Sequence, residues 1–95
     1  MITSTDIEAA RELLTEKWGQ GAYYNSANDT YCAVGALKLI TGHTASRAQY
    51  LATQLFRAAG VLDHIGIVGW NDSNDKQVVL DGFTTVAKFL RDRGE

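Results

Sequence analysis

Tyr31-Cys-Ala-Val-Gly-Ala-Leu-Lys-Leu-Ile40 carries one polar side chain, Lys38. A helix that is apolar on every side is buried at the centre of its domain. This stretch therefore predicts a central helix that runs to about Thr41 and is capped by Asn28, Asp29 or Thr30. Cys32, Gly35, Ala36 and Leu39 fall on one face of it. The small residues there predict the close approach of a second helix, because Gly35 in an exposed helix would cost about 1 kcal/mol relative to alanine.

Working outward, the preceding segment predicts a helix from about Thr5 to Trp18. Thr5-Asp6-Ile7-Glu8 has the pattern of a capping box, and Ile7, Ala10, Leu14 and Trp18 recur as one apolar stripe. Gly19 is expected to end this helix in a left-handed conformation. Gly19 to Asp29 reads as a loop of small, turn-forming residues. On the other side, Gly42-His43 is a tight connector and Thr44 or Ser46 caps a third helix. Ala48, Leu51, Leu55 and Ala58 are its expected inward stripe, flanked by Ala52 and Phe56, and Gly60 closes it. Gly66 and Gly69 weaken both helix and strand over Val61–Trp70, which predicts a helical turn followed by irregular apolar chain. Asn71-Asp-Ser-Asn-Asp75 is turn and cap chemistry. It leads into a last helix, about Lys76 to Arg93, with Val79, Phe83, Val86 and Leu90 inward. With no proline in 95 residues, the expectation is an all-α bundle of four main helices plus a short irregular or helical segment before the last one. Residues 1–95 form one domain, since the chain is too short for two cores.

Composition narrows the function classes. Nine basic against eleven acidic residues leave a net charge of −2, so there is no basic footprint for nucleic acid or anionic lipid. The single cysteine excludes an internal disulfide and points to a reducing, cytoplasmic setting. No apolar run approaches the ~20 residues of a membrane span, and Met1 to Asp6 does not read as a signal peptide. Nine aromatic residues in so short a chain suggest apolar surface left outside, which a homodimer would cover.

Candidate chemistry is sparse. Cys32 falls in the expected first turn of the central helix, where free amides stabilise a thiolate. His43 lies about 16 Å along the same helix at 1.5 Å per residue, too far to act as its base. His64 could return to Cys32 with Asn71 or Asp72 as an orienting group and Gln20 as an oxyanion donor. The alternative is an inert buried thiol packed beside Gly35. No metal is expected, because one cysteine and two histidines lack the paired spacing of a zinc site. No cofactor is expected either, since Gly19 and Gly21 have no preceding strand and no lysine in register. Tyr23 and Tyr24 either fold back over the core edge or form an aromatic binding wall. Gln20, Tyr23, Tyr24, Trp70, Asn71 and Asp72 together make a candidate polar-aromatic pocket. The plainer reading of Trp70-Asn71-Asp72 is a core-edge ring followed by a turn and cap.

Trp18-Gly-Gln-Gly-Ala-Tyr23, Cys32-Ala-Val-Gly-Ala-Leu37 and Trp70-Asn-Asp72 resemble, in that order, a family of small uncharacterised proteins from actinobacteria and their phages. Relatives often carry a second cysteine or another residue beside the first tryptophan, where this chain has Gly19. The resemblance implies a compact helical domain of bacterial or phage origin and brings no activity with it. Small size, near-neutral charge and the lack of a catalytic set lead to the expectation of a small non-enzymatic binding or interaction protein, for example a phage-encoded accessory factor acting on a host protein or small molecule. The competing expectation is a cysteine-dependent hydrolase or transferase built on Cys32.

Overall fold

Thr3, rather than Thr5, opens the first helix in the computed structural model, which describes residues 1–95. Helix α1 spans Ser4–Lys17. The Thr3 hydroxyl accepts from the Asp6 amide at 3.2 Å, and the Asp6 carboxylate accepts from the Thr3 amide at 3.0 Å. This is the expected reciprocal box moved two residues earlier. The earlier start puts Ile2 just before the cap and Ile7 at the fourth helical position, the two places where a hydrophobic staple forms. Both are buried. Ala10 and Leu14 face inward as their spacing predicts. Trp18 ends α1 in extended backbone, and Gly19 is not left-handed. Gly19 is needed for space instead, because a Cβ there would lie 2.6 Å from the Thr30 hydroxyl oxygen.

The expected loop contains a small antiparallel hairpin, β1 (Tyr24–Asn25) paired with β2 (Thr30–Tyr31). Asn25 holds its turn by accepting from the Ala27 and Asn28 amides, and Asp29 closes it with a φ of 54°. Asparagine and aspartate tolerate such geometry better than other residues. Strand β2 also receives the chain leaving α1, since the Gly19 amide donates to the Tyr31 carbonyl at 2.9 Å.

Helix α2 (Ala33–Thr41) follows directly. None of Asn28, Asp29 or Thr30 caps it, because Thr30 is in the strand and Cys32 occupies the cap position without a side-chain hydrogen bond. Ala33 to Leu37 are buried, whereas Leu39 and Ile40 are exposed. The central helix is therefore apolar all round but covered only along its N-terminal half. A Cβ on Gly35 would fall 1.7 Å from the Tyr23 carbonyl oxygen. The close neighbour that requires glycine is hairpin backbone, not a second helix.

Thr44 caps α3 (Ala45–Ala58) by accepting from the Arg47 amide at 3.2 Å. Its buried line is Ala48, Ala52 and Phe56, while Leu51 and Leu55 are half-buried and Ala58 is exposed. The stripe is turned one residue from expectation because the Phe56 ring takes the centre of the core. It meets Phe83 and Trp70 edge-on, with centroids 5.0 and 5.6 Å away, the preferred arrangement for aromatic pairs.

Over Val61–Trp70 the expected order is reversed: irregular chain comes first, and helix α4 (Ile67–Ser73) follows. Asn71, Asp72 and Ser73 belong to that helix and are not a free turn. Asp75 caps α5 (Lys76–Asp92), accepting from the Val78 amide at 3.0 Å. Val79, Phe83, Val86 and Leu90 are buried as predicted. Gly82 is buried with them, and a Cβ there would sit 2.6 Å from the Trp70 indole. The protein is thus mostly helical, with five helices and a two-stranded hairpin in place of a four-helix all-α bundle. Helix α1 packs along α5 and α2, and α2 also contacts α3 and α4, around one hydrophobic cluster. No helix is long and apolar enough to cross a membrane.

Candidate functional site

Asn71 is fully buried, and its amide makes four hydrogen bonds. Its Oδ1 accepts from the Trp18 indole at 2.9 Å and from the Ala33 amide at 3.0 Å. Its Nδ2 donates to the Gly19 carbonyl at 3.1 Å and to the Asp72 carboxylate at 3.0 Å. Two donors face the oxygen and two acceptors face the nitrogen, which is the full capacity of a primary amide. The Ala33 bond supplies the missing N-cap of α2 from another helix, satisfying one of the free amides at its start.

The neighbours extend this network. Asp72 accepts from the Gly21 amide at 3.1 Å. Gln20 donates to the Asn71 and Asn74 carbonyls at 3.3 and 2.9 Å. Asn74 in turn donates to the Trp70 carbonyl at 2.8 Å. Four of the six proposed pocket residues therefore serve packing or this network: Gln20, Asn71 and Asp72 through hydrogen bonds, and Trp70 through its ring against Phe56.

Tyr23 and Tyr24 lie elsewhere. They open onto a groove of about 290 Å³ that is also lined by Tyr31, Gly35, Lys38 and Leu39. The hairpin positions two of the rings, because Tyr24 is directly opposite Tyr31 and their centroids are 4.8 Å apart. Helix α2 supplies the floor and far wall. Tyr23 and Tyr24 are 41% and 47% exposed and Leu39 is 56% exposed, so this is a concave apolar surface open to solvent.

Ties at the rim hold the rings. The Tyr23 hydroxyl donates to Gln49 on α3 at 3.1 Å, and the Tyr24 hydroxyl donates to Asp29 at 3.0 Å. Asp29 is also paired with Lys17 at 2.7 Å. Hydrogen bonds from Lys17 and Tyr24 hold the Asp29 carboxyl below the usual carboxylate range. The same contacts raise Lys17 and Tyr24, each chiefly through its hydrogen bond to Asp29. The Tyr31 hydroxyl and the Lys38 ammonium have no protein partner and remain the free polar groups of the groove.

Tyr31, Lys38 and Leu39 are groove residues that the sequence motifs do not mark. Their signal was the lone lysine in an otherwise apolar helix, a side chain that a wholly buried helix would have to satisfy. A larger trough of about 490 Å³ runs between α1 and α5, but its walls are mostly charged, among them Glu12, Glu16 and the paired Glu8 and Arg91.

Cys32, His64 and Asn71 do not assemble. Cys32 is 3% exposed. Burial pushes its thiol up, against the pull of the Gly35 and Val34 amides at the helix start. His64 lies exposed in the irregular stretch before α4, and neither histidine hydrogen-bonds to Cys32. The Asn71 amide has no free valence to orient a base. No three His, Cys, Asp or Glu side chains gather as metal ligands.

Fold and site together define a small, mostly helical protein in which a buried asparagine joins the elements and a tyrosine-lined groove faces solvent. Residues 2–89 match the family of unknown function DUF6197, and the chain belongs to that family. No curated protein and no solved structure matches it significantly.

Proposed function

We propose that this is a non-enzymatic binding protein whose ligand enters the tyrosine groove. The observation that carries this reading is the grouping of three tyrosine rings, an exposed leucine and an unpaired lysine around one concavity. Ligand sites combine apolar, aromatic walls with a few placed polar groups. An accessory role on a host protein or small molecule, and a cytoplasmic setting that the one free, buried cysteine fits, are part of the same proposal. The test is a nuclear magnetic resonance screen of small aromatic fragments against isotope-labelled protein. Binders should shift the amides of Gly35, Lys38 and Leu39, and a screen in which no fragment moves them would sink the proposal.

The cysteine-dependent enzyme is the competing reading. Native protein treated with iodoacetamide near neutral pH should label slowly at Cys32, and quickly only after unfolding. Rapid labelling of the folded protein would favour the enzyme. Self-association is a separate proposal, supported by exposed Leu39, Ile40, Tyr50 and Ile65. Light scattering over a concentration series should return a dimer mass, and a monomer throughout would refute it.

A further inference from the structure

We propose that the groove selects a small planar ligand bearing a carboxylate, a step that rests on the groove being the binding site. Its volume, about 290 Å³, is at the lower end for ligand pockets, enough for one ring with a short arm. Three tyrosine rings and the Leu39 side chain favour a flat apolar body. Of the polar groups left for the ligand, the Lys38 ammonium can only donate, and the Tyr31 hydroxyl can donate or accept. Lys38 is the only charged residue lining the groove, and its ammonium makes no ion pair or hydrogen bond, unlike those of Lys17 and Lys88. The Tyr31 hydroxyl is also free, whereas those of Tyr23 and Tyr24 are held by Gln49 and Asp29. A carboxylate can accept from either.

The same rings would attract a cation through their faces, but two features oppose it. Lys38 repels a positive ligand, and Asp29, the carboxylate beside Tyr24, is already paired with Lys17 and Tyr24. The remaining walls offer no negative group.

Three probes of the same shape separate these possibilities: phenylpropanoate, phenylpropanamide and phenylpropylammonium, each titrated into isotope-labelled protein. The acid should bind most tightly and shift the amides of Tyr31, Gly35, Lys38 and Leu39. Lys38→Gln should weaken the acid roughly two- to fivefold, the range for a solvent-exposed ion pair, and weaken the amide less than the acid. Equal binding of acid and amide to wild type would overturn the charge selection while leaving the groove as a site. Tightest binding of the ammonium would overturn it in favour of a cation site. Acid shifts confined to the trough near Arg11 and Arg91 would also overturn it. Absence of groove shifts with all three probes would remove the binding reading as well.

Discussion

The Asn71 network and the tyrosine groove draw on the same loop, Gly19 to Tyr31, yet they treat polar atoms in opposite ways. Around Asn71, every side-chain donor and acceptor of the amide has a protein partner, and the residue is inaccessible to solvent. In the groove, the rings are partly exposed and two polar groups have no partner. A saturated network explains its residues by the structure it holds. A surface with apolar area and unpartnered donors is left without that explanation, and for this reason the groove carries the functional reading.

The contrast predicts that variants on the two sides behave differently, and the largest effect belongs to Asn71. Asn71→Ala should lose about 3–5 kcal/mol, because Trp18, Gly19 and Ala33 are left with unpaired groups that each cost ~1–3 kcal/mol when dry. Where that variant does not fold, Asn71→Asp, which keeps the acceptor oxygen but brings a charge beside Asp72, should fold with a lowered Tm. A thermal midpoint for Asn71→Ala equal to wild type would break the comparison.

Gly35→Ala comes next, at about 1–3 kcal/mol for overpacking, since the added Cβ meets the Tyr23 carbonyl. It joins the two regions: moving Tyr23 should also reshape the groove, so both denaturant midpoint and fragment binding should fall. Asp72→Ala should cost about 1 kcal/mol for its lost bonds to Gly21 and Asn71, measurable as a shift in urea midpoint. Smaller still is the alkaline behaviour of Cys32. Its thiol is raised above the ordinary 9.0, so the folded state holds this proton more firmly than the unfolded state does. Stability from this source is complete below the unfolded value and declines as pH rises above about 9 through the folded one. Cys32→Ala should flatten that decline in melts taken across the alkaline range. Least affected should be Lys38→Gln, within about 0.5 kcal/mol of wild type in stability, as for other surface changes. A large fall in its Tm would show that Lys38 supports the fold.

Local chemistry was legible in the sequence, and long-range chemistry was not. Thr44 and Asp75 cap their helices where their side chains predict, because a cap bonds an amide three residues on. The apolar spacing of α5 similarly marks its buried face. The cap of α2 was unreadable because its acceptor, Asn71, is 38 positions away. Trp70-Asn71-Asp72 is a visible cluster in the sequence, but its role depends on Trp18 and Gly19 arriving from the end of α1. The hairpin escaped because two-residue strands have no periodicity to detect. Of the groove, the paired tyrosines are visible in the sequence, whereas the apolar pattern of α2 places Leu39 in the core because pattern alone does not show how far along its length a helix is covered.

Asn71 also bears on the order in which the molecule forms. Its bonds to Ala33, Gly19 and Trp18 close chain loops of 38, 52 and 53 positions, and joining such distant segments is costly in entropy until the helices have met. Bonds of this reach are expected to close only once α1, α2 and α4 have met. Contacts made after the barrier act mainly on the unfolding rate. Asn71 variants are therefore expected to speed unfolding more than they slow folding, which stopped-flow rates in denaturant would measure.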